Sequence, residues 1–353
     1  MAGNSYDSQA QRIGLVKGEI LKHAMPQEVL GRLGVSMKKR IPKNMGQTVI
    51  FRRWLPKGAT AATPNTWAVD PSTHQLVEGE TPNSEQIIAQ DIIVSLTEYG
   101  VLYRFTNRVV DFAEDEIPAE MKRICGERMG LLLEMIRWGV LKAGTNVYRA
   151  LNVASRSLVN GLVSGNLMRN VARGLSNNLA SKITEVLSAS QNVGTQPIEA
   201  AFMAVCHTDL EADIRSQLSG FIHVSEYGSR RPVHANELGS WEQYRFVTSP
   251  HLNPYLLAGT TATANTRLAN GVPNSAGSEL VDVYPIVVMS EECYGDVMLR
   301  GMDSFDVSLI PAGQKTKDDP LGQRGYIGAS TYFAAVRLNE GQMAVIEIAA
   351  SSL

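Results

Sequence analysis

The sequence predicts an α+β fold, because segments typical of helices and of strands are mixed along its 353 residues without regular alternation. Hydrophobic residues make up 44% of the chain and charged residues 19%, which is typical of a protein with a packed core. The length exceeds that of one typical domain, so we expect two compact units with appendages.

The first strand segment has an unusual side-chain pattern. It is GQTVIFRRWL, from Gly46 to Leu55, and neither of its faces is cleanly apolar. A strand that covers one ordinary core should alternate more strictly. After a long polar stretch, a second strand segment is predicted over 91–106. Together the two segments predict a two-stranded ribbon, which is marginally stable alone, so we expect another copy of the protein to cover it.

Charge is distributed unevenly around this ribbon, although the formal net charge is only −2. Residues 1–58 contain eleven Lys or Arg against three Asp or Glu, and residues 59–100 contain six acidic residues and no Lys or Arg. Such opposed blocks can serve self-association, and two solvated surfaces would give the same pattern. The residues predicted to contact other copies are Lys38, Lys39, Arg40, Arg52, Arg53, Trp54, Glu78 and Glu80.

A long helix is predicted over 118–141. Pro118 suits its first turn, and Gly144 follows its end. An apolar stripe is predicted from Met121, Cys125, Met129, Leu132, Ile136 and Val140, which recur at helical spacing. Gly126 and Gly130 would permit close packing against a neighbour.

The remaining segments predict a mixture of short elements. Helices are predicted within GNLMRNVARGL, NNLASKITEVLSAS and EECYGDVML. The stretch AAFMAVCHTDLEADIRSQL predicts a buried strand and then a helix capped by Thr208 or Asp209. Single strands are predicted within SWEQYRFVTSP, VDVYPIVVMS, TYFAAVRL and MAVIEIAA. Residues 1–45 are interpreted as an arm with short helical pieces, and residues 259–278 as a low-complexity loop.

Several classes of protein are disfavoured. Three widely spaced cysteines argue against a disulfide framework, and no uncharged apolar run approaches the roughly 18 residues that a membrane span needs. The N-terminus lacks the layout of a signal peptide, so we expect a soluble protein made in the cytoplasm.

The search for catalytic motifs identifies one weak candidate. No phosphate-binding loop, dinucleotide fingerprint, zinc-protease motif or paired C-x-x-C is present, and the six histidines show no metal-ligand spacing. Cys206, His207 and Asp209 lie together at a predicted strand end. Adjacent residues on a strand point to opposite faces, so a buried thiol beside a locally bonded histidine is the favoured interpretation. A hydrolase or transferase that uses Cys206 and His207 is the alternative; we expect no enzyme, metal or cofactor.

The order of several segments carries a family resemblance. In the second half these are VCHTDLEADIRSQLSGFIHVSEYG, NELGSWEQYRFVTSP, VYPIVVMSEECYGDVMLRG and DPLGQRGYIGASTYFAAVRLNEGQMAVIEIAAS. In the first half GQTVIFRRW, LVEGETP and TEYG precede the long helix. In order and spacing, from about residue 46 to 350, these segments resemble the major capsid proteins of tailed bacteriophages, in particular the podovirus-type coats with the Hong Kong 97 shell fold.

The resemblance implies a division of the chain into named regions. Residues 1–45 would form an N-terminal arm and 46–107 an extended loop. Residues 108–200 and 330–353 would form a peripheral domain with 118–141 as its spine helix, and 201–329 an axial domain.

The resemblance also implies a function. The chain would be a major capsid protein that self-assembles into the icosahedral shell around a phage double-stranded DNA genome. Its partners would be further copies of itself in hexamers and pentamers, portal, scaffold or cement proteins, and packaged DNA through non-specific contacts, with no membrane. It would be assembled in the host bacterial cytoplasm and would reside in the virion capsid. A nanocompartment shell with the same fold is the alternative.

Overall fold

The computed structural model describes residues 28–33, 36–42, 44–55, 71–79, 81, 84, 86–112, 117–187, 195–228, 232–261, 267–273, 279–291, 293–299, 305–315, 317 and 319–352. The α-helices are α1 (Asn107–Phe112), α2 (Ile117–Leu141), α3 (Gly165–Asn177) and α4 (Glu211–Gln217). The strands are β1 (Met37–Ile41), β2 (Thr48–Leu55), β3 (Ile88–Ser95), β4 (Thr97–Thr106), β5 (Val147–Arg149), β6 (Ile183–Leu187), β7 (Thr195–Cys206), β8 (Ile222–His223), β9 (Glu237–Trp241), β10 (Tyr244–Thr248), β11 (Leu268–Ala269), β12 (Val272–Pro273), β13 (Tyr284–Met289), β14 (Tyr294–Leu299), β15 (Asp306–Ile310), β16 (Arg324–Arg337) and β17 (Met343–Ile348). The predicted α+β class is confirmed.

A five-stranded sheet is organised around the long strand β16. Strand β4 pairs antiparallel with it over ten residue pairs, and β14 and β15 also pair antiparallel with it. Strand β1 adds to β14 in parallel. Helix α2 packs across this sheet, where Cys125, Met129 and Leu133 contact the buried Ala329 and Phe333.

An eight-stranded sheet forms the second layer, in the order β5-β17-β13-β7-β10-β9-β8, with β6 also pairing with β7. Every residue of β13 and β17 is buried. Helices α3 and α4 cover one face of this sheet, and the C-terminal part of α2 lies on the other with residues 28–33. Burial on both faces explains why these strands are continuous apolar runs without alternation.

The predicted long helix is confirmed within one residue of each end, but its buried stripe differs in the second half. Cys125 and Met129 are buried as expected, together with Gly126 and Gly130. Farther along, the predicted Leu132 and Ile136 are half-buried and pack against the same cluster, whereas the fully buried residues are Leu133, Glu134, Arg137, Trp138 and Leu141. The stripe turns because the helix leaves the five-stranded sheet and ends against the eight-stranded one, where Trp138 and Leu141 join a different cluster.

Several short-element predictions were wrong. The segments NNLASKITEVLSAS and EECYGDVML were predicted as helices, but they contain strands β6 and β14. The segment SWEQYRFVTSP was predicted as one strand, but it includes a hairpin between β9 and β10 whose turn places Glu242 at φ 48°. In each case pairing with a distant or adjacent strand decides the local structure over intrinsic propensity. The predicted helix in GNLMRNVARGL is confirmed as part of α3.

Sheet membership groups the chain differently from the predicted regions. Strands β5 and β17 fall in the predicted peripheral ranges, yet they share a sheet with β10 and β13 of the predicted axial range, and β7 crosses the predicted boundary at residue 200. Within the predicted arm, residues 28–33 and β1 pack on the rest of the chain, and residues 1–27 lie outside the described residues. The domain limits themselves stay a prediction.

Candidate interaction surface

The ribbon formed by β2 and β3 is the main candidate for an interaction surface. The two strands pair antiparallel over eight residue pairs, from Thr48 with Ser95 to Leu55 with Ile88. The predicted ribbon is therefore present, with one difference in its second strand. The segment 91–106 is divided at Leu96, so that β3 pairs with β2 and β4 pairs with β16 of the body.

The inner face of the ribbon is covered by its own chain. Val49, Phe51 and Val94 are buried and pack with Ile41 and Val297 of the five-stranded sheet. The expectation that another copy would cover the ribbon was therefore wrong for this face. The sequence pattern did not indicate an apolar inner face, because Arg53 follows Val49 and Phe51 on that face.

The outer face of the ribbon exposes large apolar side chains. Ile50 and Ile93 lie directly opposite each other, with exposed fractions of 47% and 69%, and Trp54 is 64% exposed. Arg52 and Asp91 lie opposite each other between the Ile50–Ile93 pair and Trp54, and two hydrogen bonds of 2.8 Å join them. The hydrogen bond from Arg52 lowers the pKa of Asp91 and the same bond raises the pKa of Arg52. The acidic partner of Arg52 is thus supplied within the ribbon, where a partner in another copy was expected.

A cleft separates the foot of the ribbon from the body. Its volume is about 270 Å³, and it is lined by Arg52, Arg53, Phe51, Leu338 and Gln342 among others. Burial lowers the pKa of Arg53. Arg53 is half-buried and follows Phe51 on the inner face of the ribbon, whereas Arg52 and Trp54, the other predicted contact residues in β2, are exposed.

The basic residues of β1 also lie beside the ribbon. The Lys39 ammonium donates a 2.8 Å hydrogen bond to the Ile50 carbonyl and lies 4.7 Å from the centre of the Phe51 ring. Lys38 and Arg40 are exposed on the same strand. Lys39 consequently fixes the ribbon to its own body, whereas the predicted contacts of these residues with other copies stay predictions.

The predicted acidic contact residues are only partly described. Glu78 is exposed in a turn on the segment between the two ribbon strands. Glu80 lies outside the described residues. Their contact with another copy stays a prediction.

A buried ionic cluster, which the sequence analysis missed, holds residues 28–33 on α2. The Leu30 N–H donates to both oxygens of the Glu134 carboxylate, at 2.9 and 3.1 Å. The Arg137 guanidinium donates to Glu28 at 3.1 Å and to Asp296 of β14 at 3.2 Å. Two charges three residues apart inside the apolar run MGLLLEMIRWGVL are the sequence signal that could have indicated it.

The pKa values of Glu134 and Arg137 in this cluster have different consequences for their charge. Burial raises the pKa of Glu134 to about 7, against the opposing effects of the Leu30 N–H and Arg137. Burial also lowers the pKa of Arg137, but the charges of Asp296 and Glu28 outweigh that effect and leave it raised. Arg137 is therefore cationic at every physiological pH, whereas Glu134 titrates near neutrality.

The surroundings of the candidate catalytic residues indicate packing and capping roles. The Cys206 thiol is fully buried, and burial raises its pKa. His207 accepts a hydrogen bond from the Asp209 N–H at 3.1 Å and so caps the short 3₁₀ turn before α4. The cap is His207, where Thr208 or Asp209 was predicted. A protonated buried thiol next to a capping histidine lacks the accessible thiolate that nucleophilic catalysis requires.

The described residues contain no group of three or more His, Cys, Asp or Glu placed to hold a metal ion. Within the same residues, no helix is long and apolar enough to cross a membrane.

Comparison with solved structures identifies the fold. No protein-family model matches the chain, and no curated protein matches it. The chain is similar to the Ralstonia phage GP4 capsid, with a TM-score of 0.58 and 11% identity, over 90% of this chain and 88% of that one. It is similar to the cyanophage Pam1 capsid with the same TM-score and identity, over 100% of this chain and 95% of that one. It also matches the capsid of cyanophage P-SCSP1u, with a TM-score of 0.54 and 10% identity, over 90% and 88% of the two chains.

The fold is therefore that of tailed-phage coat subunits, of the Hong Kong 97 type, over nearly the whole chain. The fold predicted from the resemblance is confirmed.

Proposed function

We propose that this chain is a major capsid protein, many copies of which assemble into the icosahedral shell around a phage double-stranded DNA genome. The observation that carries the proposal is the exposed apolar outer face of the ribbon, on a chain that has a coat fold along nearly its whole length. The same ribbon is already fixed to its own body by its inner face, so the outer face is free to contact a second copy.

The energetics of the outer face favour association. Fully burying a large apolar side chain stabilises an assembly by about 1.5–3 kcal/mol. Ile50, Ile93 and Trp54 each leave much of that stabilisation unrealised in a single copy. Because every subunit of a closed shell makes the same contacts, modest contacts of this kind add up to a stable particle.

The proposal assigns no catalytic activity to the chain. Support comes from Cys206 and His207, the one candidate pair in the sequence, which serve packing and capping. We further propose, in line with the family resemblance, that the partners are portal, scaffold or cement proteins and packaged DNA. The protein would be assembled in the host cytoplasm and would reside in the virion capsid.

Expression of the full chain tests the proposal. We expect closed, uniform particles by electron microscopy and a rapidly sedimenting species by analytical ultracentrifugation, with the chain alone or with its scaffold protein. Small uniform monomers under all assembly conditions would overturn it. Nucleic acid inside particles from the native source would distinguish a phage capsid from a nanocompartment, which would contain a protein cargo.

A pair of substitutions tests the outer face itself. We expect Trp54→Ser combined with Ile93→Ser to reduce particle yield severely while the unfolding midpoint of the unassembled chain changes little, because both side chains are exposed there. The matched control is Leu158→Ser, which removes a similarly exposed apolar side chain outside the ribbon and should assemble normally.

A charge swap adds a second control. Arg52→Asp combined with Asp91→Arg preserves the pair across the ribbon strands but inverts its polarity towards a neighbouring copy. We expect the swapped ribbon to fold and to assemble poorly. Wild-type particle yields from both the swap and the serine double variant would show that another surface drives assembly.

A further inference from the structure

A cavity lined largely by arginine and asparagine lies beside α3, outside the ribbon and the ionic cluster on α2. Its volume is about 560 Å³, and it is bounded by the N-terminal half of α3 and by the chain that follows β5. Most of its lining side chains are strong hydrogen-bonding groups: Arg149, Arg169, Arg173, Asn152, Asn166 and Asn170. No Asp, Glu or aromatic residue lines it.

Each of the three arginines is held in place by a protein partner. The Arg149 Nε donates to Glu347 at 2.8 Å. Arg169 donates twice to one oxygen of Glu242, at 2.9 and 2.7 Å, and its guanidinium lies 5.3 Å from the centre of the Trp241 ring. The Arg173 Nη2 donates to the Asn170 side chain at 2.8 Å. Donors fixed in this way lose little conformational freedom when an anion binds.

The charges around the cavity do not cancel. The buried carboxylate of Glu347 is shared by Arg149 and Arg156, and Glu242 pairs with Arg169. Among the described residues, the hydrogen-bond partner of Arg173 is the neutral amide of Asn170. Three arginines line the cavity, and the two carboxylates that they bond are Glu242 and Glu347, the second of which also pairs with Arg156. The lining therefore carries an excess of positive charge.

The rim of the cavity has an unusual backbone. Leu151 and Asn152 are consecutive and both lie in the left-handed region, at φ 58° and 54°. Non-glycine residues rarely adopt this conformation, and it is unfavourable for leucine in particular. Gly161 leaves room for the turn, since a Cβ there would come within 2.9 Å of the Leu151 side chain.

We propose that this cavity binds phosphate oxyanions, either as free phosphate or as the backbone phosphates of a nucleic acid. A guanidinium fork matches the oxygens of a phosphate group. Free phosphate, with a charge of about −1.5 to −2 at neutral pH, and a singly charged backbone phosphodiester are both anions that this excess of positive charge attracts. The N–H donors of the lining arginines and asparagines outnumber the hydrogen bonds that the two oxygens of one carboxylate could accept. Without an aromatic lining the cavity offers no surface for stacking a base, so recognition is of phosphate alone.

Titration calorimetry of the full chain with inorganic phosphate, at constant ionic strength, tests this site. We expect one binding site in the wild type and at least about tenfold weaker binding in Arg173→Gln, because a charge-assisted hydrogen bond is lost. Arg173 is exposed and glutamine has a similar helix propensity, so α3 should keep its structure. The matched control is Arg128→Gln, the same change at an exposed position of α2, which should bind phosphate as the wild type does.

Competition experiments separate the two sources of phosphate. Displacement of phosphate by a short double-stranded DNA, lost in Arg173→Gln, would assign the site to a nucleic acid backbone. Displacement by tripolyphosphate but not by DNA would assign it to free phosphates. The proposal is overturned if the wild type binds no phosphate, if Arg173→Gln binds it equally well, or if a glutamate-rich peptide binds through Arg173 while phosphate does not. None of these outcomes depends on shell assembly.

Discussion

Glu134 shows how one buried side chain can fix a distant part of the chain. Its carboxylate accepts the Leu30 N–H, and the neighbouring Arg137 bonds Glu28 and Asp296. A single turn of α2 thereby connects residues 28–33 with strand β14. Breaking such a buried network by removing one partner is far more costly than losing an exposed pair, because the remaining charge stays buried.

The raised pKa of Glu134 predicts a pH dependence of stability. The folded chain retains a proton on this carboxyl between about pH 4.5 and 7, whereas the unfolded chain releases it. Its contribution to stability is therefore fully present below about pH 4.5 and is lost as the pH rises to about 7. We expect Glu134→Gln to lack this loss, which is on the order of 3 kcal/mol over the whole window.

Urea unfolding of the unassembled wild type and Glu134→Gln at pH 5.0 and pH 7.5 measures the effect. The groups facing Glu134 are Arg137, Glu28 and the Leu30 N–H, and all are present in both proteins. The difference between the two free energies of unfolding should consequently change with pH. A constant difference would contradict the prediction.

At the scale of elements, some structure could be predicted from the sequence alone and some could not. Helix α2 could be predicted because apolar residues recur at helical spacing along its 25 residues. Strand β13 could be predicted because its apolar run is short and rich in valine. Strand β14 was not, because it contains the charged residue Asp296, which is fully buried and pairs with Arg137 on α2. A local sequence pattern cannot indicate an interaction partner that lies 159 residues away.

The ribbon could be predicted only in part, because some of its contacts are with residues far away in the sequence. Its strand character follows from its β-branched and aromatic residues, and that part of the site needed no structure. Which face is covered depends on Val297 and the rest of the five-stranded sheet, and the partner of Arg52 depends on the register that places Asp91 opposite it. Both are set by packing between segments far apart in the sequence.

Two helical glycines predict opposite effects of the same substitution. Gly139 on α2 has no atom near the position of an added Cβ, whereas a Cβ on Gly174 of α3 would overlap the Tyr148 hydroxyl. We expect Gly139→Ala to stabilise the unassembled chain by about 0.5–1 kcal/mol, through lower backbone entropy in the unfolded state. Gly174→Ala should destabilise it, because Tyr148 must move.

Thermal unfolding of both glycine variants beside the wild type makes the comparison. Because the chemical change is identical, the difference between the variants isolates the surroundings of each glycine. An equal rise in both midpoints would contradict the close approach of Tyr148 to α3.

The described residues combine a packed body with a ribbon whose outer face the body does not cover. The inner face of the ribbon completes a core within the chain, and the outer face keeps Ile50, Ile93 and Trp54 exposed. A subunit of this kind can fold first and associate afterwards. Stability of the folded chain and stability of the assembly are then separate quantities that can be measured independently.

Assembly, under the proposed function, predicts a second gain in stability. Contacts made only by folded copies shift the unfolding equilibrium towards the folded state. Burial of the three outer-face side chains predicts an unfolding midpoint about 5 °C higher in particles than in free subunits. Differential scanning calorimetry of particles and of the non-assembling serine double variant measures this, and equal midpoints would contradict it.

The division of the ribbon strand at Leu96 has a mechanical consequence. Only that residue separates β3 from β4, and β4 is held by β16 along ten residue pairs. Tension applied along the ribbon would therefore pass directly into this antiparallel pair and load its hydrogen bonds in shear, all at once instead of one after another. A pull along the ribbon would meet the strongest direction of the sheet, while a force perpendicular to it would load the packing of Val49, Phe51 and Val94 and the Lys39 hydrogen bond to the ribbon.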